Sequence, residues 1–196
     1  MIQGFVKIWE PETGRVLVDK KNAIHYENIS IAMANAFSDR GYGFIQEMSF
    51  GNGGTTIDST GIITYLAPNT LNQSADLHNP TYTKVVNDNN IVLNTDPGRN
   101  RLDVRHVIGR KYTDIVVTCT LDYGEPTGQE AFDNATNSNS YVFDELGLKS
   151  WDDVTGTNKR LLTHVVFHPV QKSLNRIIQV DYTLRIQSFT TFTETA

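Results

Sequence analysis

Phe5-Val6-Lys7-Ile8-Trp9, then Pro11-Glu12-Thr13-Gly14, then Arg15-Val16-Leu17-Val18: apolar and polar residues alternate, break, and alternate again. Pro presets φ for a turn, and Gly tolerates the left-handed backbone that a reversal needs, so this stretch reads as a β-hairpin. Outward from it, strand-like runs recur at 44–50, 62–66, 81–86, 91–94, 102–108, 114–123, 141–146, 161–168 and 176–187. Most are rich in Val, Ile, Thr and Tyr, which suit a pleated, half-buried surface. Many short strands with almost no helix between them predict an antiparallel β-sandwich. One segment departs from the period of two. Ile29, Ala32, Met33, Ala36 and Phe37 fall on a single helical stripe. The expectation is one helix over 27–39, with Asn28 as a cap at its start and Gly41 as its stop.

With 196 residues and no repeat or linker, the chain predicts a single domain over 1–196. The net charge of −5, without a basic stripe, excludes a protein that coats nucleic acid, because phosphates need Lys and Arg to neutralise them. It equally excludes a polybasic membrane-surface protein. No apolar run approaches the roughly 20 residues that cross a bilayer, and MIQGFVKIWE lacks a signal-peptide pattern. One cysteine, Cys119, leaves no internal disulfide and no cysteine-based zinc site. A chain folded in the cytoplasm is expected, with no membrane and no nucleic-acid partner.

Candidate chemistry is sparse. His164 and His168 have helical metal-pair spacing, but their surroundings are strand-like. On a regular strand they would share a face and lie roughly 13 Å apart, too far for one ion. Two surface or interface histidines are expected. Asp144-Glu145 and Asp152-Asp153 are paired acids; neighbours on a strand point to opposite faces, so Asp144 and Glu145 are not expected to act together. Gly51, Gly53 and Gly54 are too closely spaced for a phosphate loop and read as a tight turn needing positive φ. Cys119 reads as a small buried side chain. No Ser or Cys stands beside a histidine in a nucleophile-elbow context, and three apparent glycosylation acceptors are chance matches. No catalytic residue, cofactor or metal is expected.

Three segments, in this order, resemble structural proteins of tailed-bacteriophage virions. Asn22-Ala23-Ile24 and the helix precede Ile45-Gln46-Glu47-Met48-Ser49-Phe50-Gly51-Asn52-Gly53-Gly54. Asn69-Thr70-Leu71 and Leu77-His78-Asn79 follow. The most specific is Phe143-Asp144-Glu145-Leu146-Gly147-Leu148 with Leu161-Leu162-Thr163-His164-Val165-Val166-Phe167-His168-Pro169-Val170-Gln171-Lys172, similar to strands of tail-fibre attachment modules. The resemblance implies a virion building block, made in the host bacterial cytoplasm, and leaves its position in the particle open; the leading expectation is a place at the neck, collar or tail, with fibre anchoring as a role there. Its partners would be copies of itself in a symmetric homo-oligomer and other virion proteins. Glu145 and Gly147 would then be structural, the glycine allowing a bend or close backbone approach. The chain ends shortly after its last strand, so no fibre shaft or receptor-binding tip is expected to follow.

Long loops and an aromatic end fit that expectation. The loop 124–140 carries Phe132, and the arm 188–196 carries Phe189 and Phe192. Fixing each residue of such a loop costs ~1–2 kcal/mol, which contact with another subunit would offset. Phe132, Phe189 and Phe192 are therefore the expected assembly contacts, and Gly51, Gly53, Gly54 and Gly147 the structural turn positions. A capsid decoration protein is an alternative within the structural class. A carbohydrate-binding module using Tyr65, Tyr82, Tyr112 and Trp151 as a stacking platform is a second, and an enzyme acting on cell-wall glycans comes last.

Overall fold

In the computed structural model, which describes residues 1–126 and 140–187, the chain is mainly β with one helix. The order is β1 (Ile2–Trp9), β2 (Val16–Ile24), α1 (Tyr26–Phe37), β3 (Ile45–Gly51), β4 (Thr55–Ile57), β5 (Ile63–Tyr65) and β6 (Pro80–Val85). Then come β7 (Arg101–His106), β8 (Tyr112–Leu121), β9 (Ser140–Trp151), β10 (Lys159–Leu161), β11 (Thr163–Ser173) and β12 (Ile178–Gln187). A 10-stranded antiparallel sheet runs β6-β3-β9-β11-β2-β1-β12-β8-β7, with β10 on β9; β4 and β5 pair separately. The sandwich takes the form of one sheet curled over its own core. Lys84 of β6, at one edge, donates from Nζ to the Thr120 carbonyl of β8, beside the other edge, at 2.7 Å.

Alternation builds the inner face. Val6 and Ile8 of β1, Val117 and Cys119 of β8, and Val180 and Tyr182 of β12 are all buried. Phe50, Phe143 and Phe167 lock the opposite half, with edge-to-face contacts of 5.4 Å and 5.7 Å between ring centres. Such pairs add about 0.5–1.5 kcal/mol beyond the area they bury. Strand β3 is buried at every position, and Asp144 through Ser150 of β9 likewise. The second face of β9 is covered by the segment 66–79, where Leu77 packs beside Gly147 and Asp76 pairs with Lys149 at 2.6 Å.

The helix sits close to its expected place, but its cap differs. His25, not Asn28, caps α1, its Nδ1 accepting from the Asn28 backbone N–H at 3.3 Å. Asn28 is buried, and its amide donates to the carbonyls of Leu161 and Gln73. The helix ends at Phe37 with Ser38 as C-cap, short of Gly41. The segment 91–94, expected as a strand, is a turn in which the Asn94 side chain donates to the carbonyls of Asn87 and Asn100. Asparagine side chains bonding nearby backbone compete with a ladder, and here they win. Phe132, Phe189 and Phe192 lie outside the described residues. Among the described residues, no helix is long and apolar enough to cross a membrane.

Phe143 is fully buried at the junction of Phe50 and Phe167. Phe143→Ala is expected to cost about 3–5 kcal/mol, measured as a lowered midpoint in urea unfolding with an unchanged slope.

Candidate functional site

The densest polar constellation lies on the covered face of β9. Glu145 is 0 % exposed, and its two oxygens take four donors. Oε1 accepts from the backbone N–H groups of Gly53 (3.1 Å) and Asn79 (2.8 Å). Oε2 accepts from the His78 backbone N–H (2.9 Å) and from His164 Nε2 (2.9 Å). The tautomer of His164 follows from its other nitrogen. Nδ1 receives the Asn69 backbone N–H at 2.8 Å, so it carries no proton, and Nε2 is the donor to Glu145. Burial pushes the Glu145 carboxyl upward, but the bonds from His164, Asn79, His78 and Gly53 outweigh it and hold the group below its ordinary value.

Asp144 works beside it. Its oxygens accept from the backbone N–H groups of Gly54 (2.8 Å) and Thr55 (2.9 Å) and from the Thr55 hydroxyl. Burial dominates at this carboxyl and raises its pKa, with the adjacent Glu145 adding to the rise against these bonds. The two acids therefore act together in gripping one loop, where strand neighbours are not expected to act together. Strand β11 bulges opposite them: Val166 pairs with Glu145, and the next partners are Val170 and Phe143, three residues facing one. The loop after β3 folds back across this irregular stretch and reaches both side chains.

The same bulge separates the histidines. Val165, Val166 and Phe167 are all buried, so alternation fails before His168, which is exposed beside the Tyr65 hydroxyl at 3.3 Å. His164 is 0 % exposed, not the surface residue expected.

The glycines are required for close approach, and none of Gly51, Gly53 and Gly54 has positive φ. A Cβ at Gly51 would stand 2.5 Å from the Asn79 carbonyl and from Glu145 Oε1. At Gly53 it would meet Asn79 at 2.8 Å, and at Gly54 the Val166 side chain at 2.9 Å. At Gly147 it would lie 2.3 Å from the Thr163 carbonyl.

His78, Glu145 and His164 each bring a ligand atom within 4.8 Å of the others, a spacing that a metal ion is able to use. The Glu145 oxygens and the His164 nitrogens are already committed, while His78 Nδ1 keeps its lone pair. His78 Nε2 lies 3.0 Å from the Ala67 carbonyl, and both His164 nitrogens are engaged. Coordination through His164 Nε2 would move its proton to Nδ1, against the Asn69 N–H. The residues present fit a loop clamp better than a metal centre. His78 had no chemical signal in the sequence beyond its place in Leu77-His78-Asn79; only the fold brings it to Glu145.

The four candidate stacking aromatics are engaged separately. Tyr65 lies under Lys20, Tyr82 packs on Phe50, Tyr112 stacks with the Arg185 guanidinium at 3.9 Å, and Trp151 covers Gly156. Cys119 is buried, and desolvation pushes its thiol up to about 12, which leaves it inert.

A second feature is apolar. An open groove of about 350 Å³ runs between α1, through Ile29, Met33 and Phe37, and the sheet, through Leu102, Ile115 and Ile186. Along it Phe37 is 82 % and Val104 73 % exposed.

No protein-family model, curated protein or solved structure matches the chain.

The clamp sets a pH dependence. Glu145 has a folded pKa below its unfolded value near 4.5, so its contribution is complete above that value and is lost as pH falls through the folded pKa. Glu145→Gln is expected to cost about 1.5–3 kcal/mol at neutral pH. Its stability curve should converge on that of the unmodified protein in acid, as followed by urea unfolding between pH 3 and pH 7.

Proposed function

We propose that this protein is a structural component of a tailed-bacteriophage virion, a repeated subunit that assembles with copies of itself at the neck, collar or tail. One observation carries the reading: the segments on which the resemblance rests meet in space at the clamp. Gly53 and Gly54 come from the first, Asn69, His78 and Asn79 from the second, and Asp144, Glu145 and His164 from the third. A motif whose members are far apart in sequence and joined in one constellation specifies a fold, and a building block needs its fold reproduced in every copy.

Two further features support it. The buried titratable cluster is consumed in anchoring loops, which suits a scaffold more than a catalyst. The groove, with the exposed Phe37 and Val104 along it, is an apolar surface of the kind that marks protein contact sites. The test is to purify particles of the phage encoding this chain, identify it by mass spectrometry, and locate it in an electron-microscopy map. A fixed copy number at the neck, collar or tail is expected. Absence from purified particles would overturn the reading.

A further inference from the structure

Strand β7 ends the sheet. It pairs with β8 from Arg101↔Thr118 to His106↔Thr113, and among the described residues nothing pairs with its outer edge. Native proteins blunt such an edge with a proline, a bulge, a cover or charged side chains, because bare N–H and C=O groups recruit another strand; of these β7 itself carries only the charges of Arg101, Asp103 and Arg105. Here the edge is six residues long and regular, and Val104 at its centre is 73 % exposed. Leu102 and Val104 face the apolar groove. On the other face Asp103 lies between Arg101 (3.3 Å) and Arg105 (3.5 Å), giving a plus-minus-plus row.

We propose that the outer edge of β7 is the docking surface for β7 of a second copy, paired antiparallel about a two-fold axis through Val104. The charge row selects that register. In a two-fold antiparallel pair, residues equally distant from the central one stand opposite each other on the same face. With Val104 central, Asp103 faces Arg105 of the second copy, reciprocally, and Leu102 faces its His106. With Asp103 central, Asp103 meets its own copy and Arg101 meets Arg105; with Arg105 central, two guanidiniums oppose. Like charges directly opposite are destabilising. A centre on Leu102 also pairs opposite charges, but it draws the overlap into the 96–100 turn, where Asn100 is buried and its carbonyl is held by Asn94. The Val104 register instead extends past His106 toward Val107 and Ile108, which are 59 % and 95 % exposed. It makes one continuous sheet from two copies, with Leu102 and Val104 of both on the groove side. The proposal deepens the self-association part of the proposed function and does not depend on the virion setting.

The experiment combines mass in solution with two designed changes. The full chain is expected to be dimeric by light scattering. Asp103→Arg should give a monomer with an unchanged circular-dichroism spectrum, and adding Arg105→Asp to it should restore the dimer. Independently, Val104→Cys should form a symmetric disulfide under mild oxidation, since facing Cα atoms lie about 4.5–5.5 Å apart, within disulfide range. Cys119 is buried and does not compete; Ile91→Cys, exposed elsewhere, should stay uncrosslinked. If Asp103→Arg fails to fold, the Val104→Cys crosslink decides. A monomeric full chain, a dimer untouched by Asp103→Arg, or a Val104→Cys protein that does not crosslink would each overturn the proposal. A dimer untouched by Asp103→Arg would leave self-assembly standing, whereas absence of the chain from particles would sink only the virion reading.

Discussion

A carboxylate taken out of water is costly unless every lone pair is answered, and the Glu145 carboxylate is answered four times. Three of the donors are backbone N–H groups from two loops. Glu145, with Asp144 and the Asp76–Lys149 pair beside it, therefore fixes where 51–55 and 66–79 lie, and other features follow. The loop after β3 approaches so closely that glycine is required. The 66–79 segment covers β9, which makes β9 a strand buried on both faces. The same segment presents the Asn72 and Gln73 carbonyls to His25 and Asn28, so the start of α1 is set by the loop that the clamp anchors. Neutral His164 passes the constraint to Asn69.

Regular alternation was legible where one face meets the core and the other meets solvent. Strands β1 and β12 and the helical stripe around Ile29 and Ala32 are of this kind. The sequence was misleading where a second layer covers the sheet, because a doubly buried strand has no period of two. In β9 the polar residues Asp144, Glu145, Lys149 and Ser150 are as buried as Phe143 and Leu146, and nothing in their order announces it. The bulge in β11 was equally hidden: Val165-Val166-Phe167-His168-Pro169 looks like a strand reaching a proline. Pairing with β9 is what inserts the extra residues, and pairing is a property of the partner. The clamp was least legible of all. Its bonded partners lie between 19 and 95 residues apart in the chain, and each alone has an ordinary local reading.

The two edges of the sheet are treated differently, and the difference has a physical logic. At the β6 edge Lys84 reaches across to β8, and its ammonium is also paired with Glu125, so the curl is tied shut from within. At the β7 edge the charges stay on the strand itself. Asp103 is shared by two arginines, and all three are at least 37 % exposed, so water and salt screen them and they add little to the stability of one copy. What such a row keeps is a pattern, readable by anything laid alongside it. Stability is thus concentrated at a buried, fully bonded site, and the exposed surface is left free of that duty. Subunits that join through a rigid face lose less conformational freedom on association than ones that must first order it. A frame fixed by Glu145, carrying at the far end of the same sheet a regular edge that no described residue pairs with, suits the association proposed above without any movement of its core.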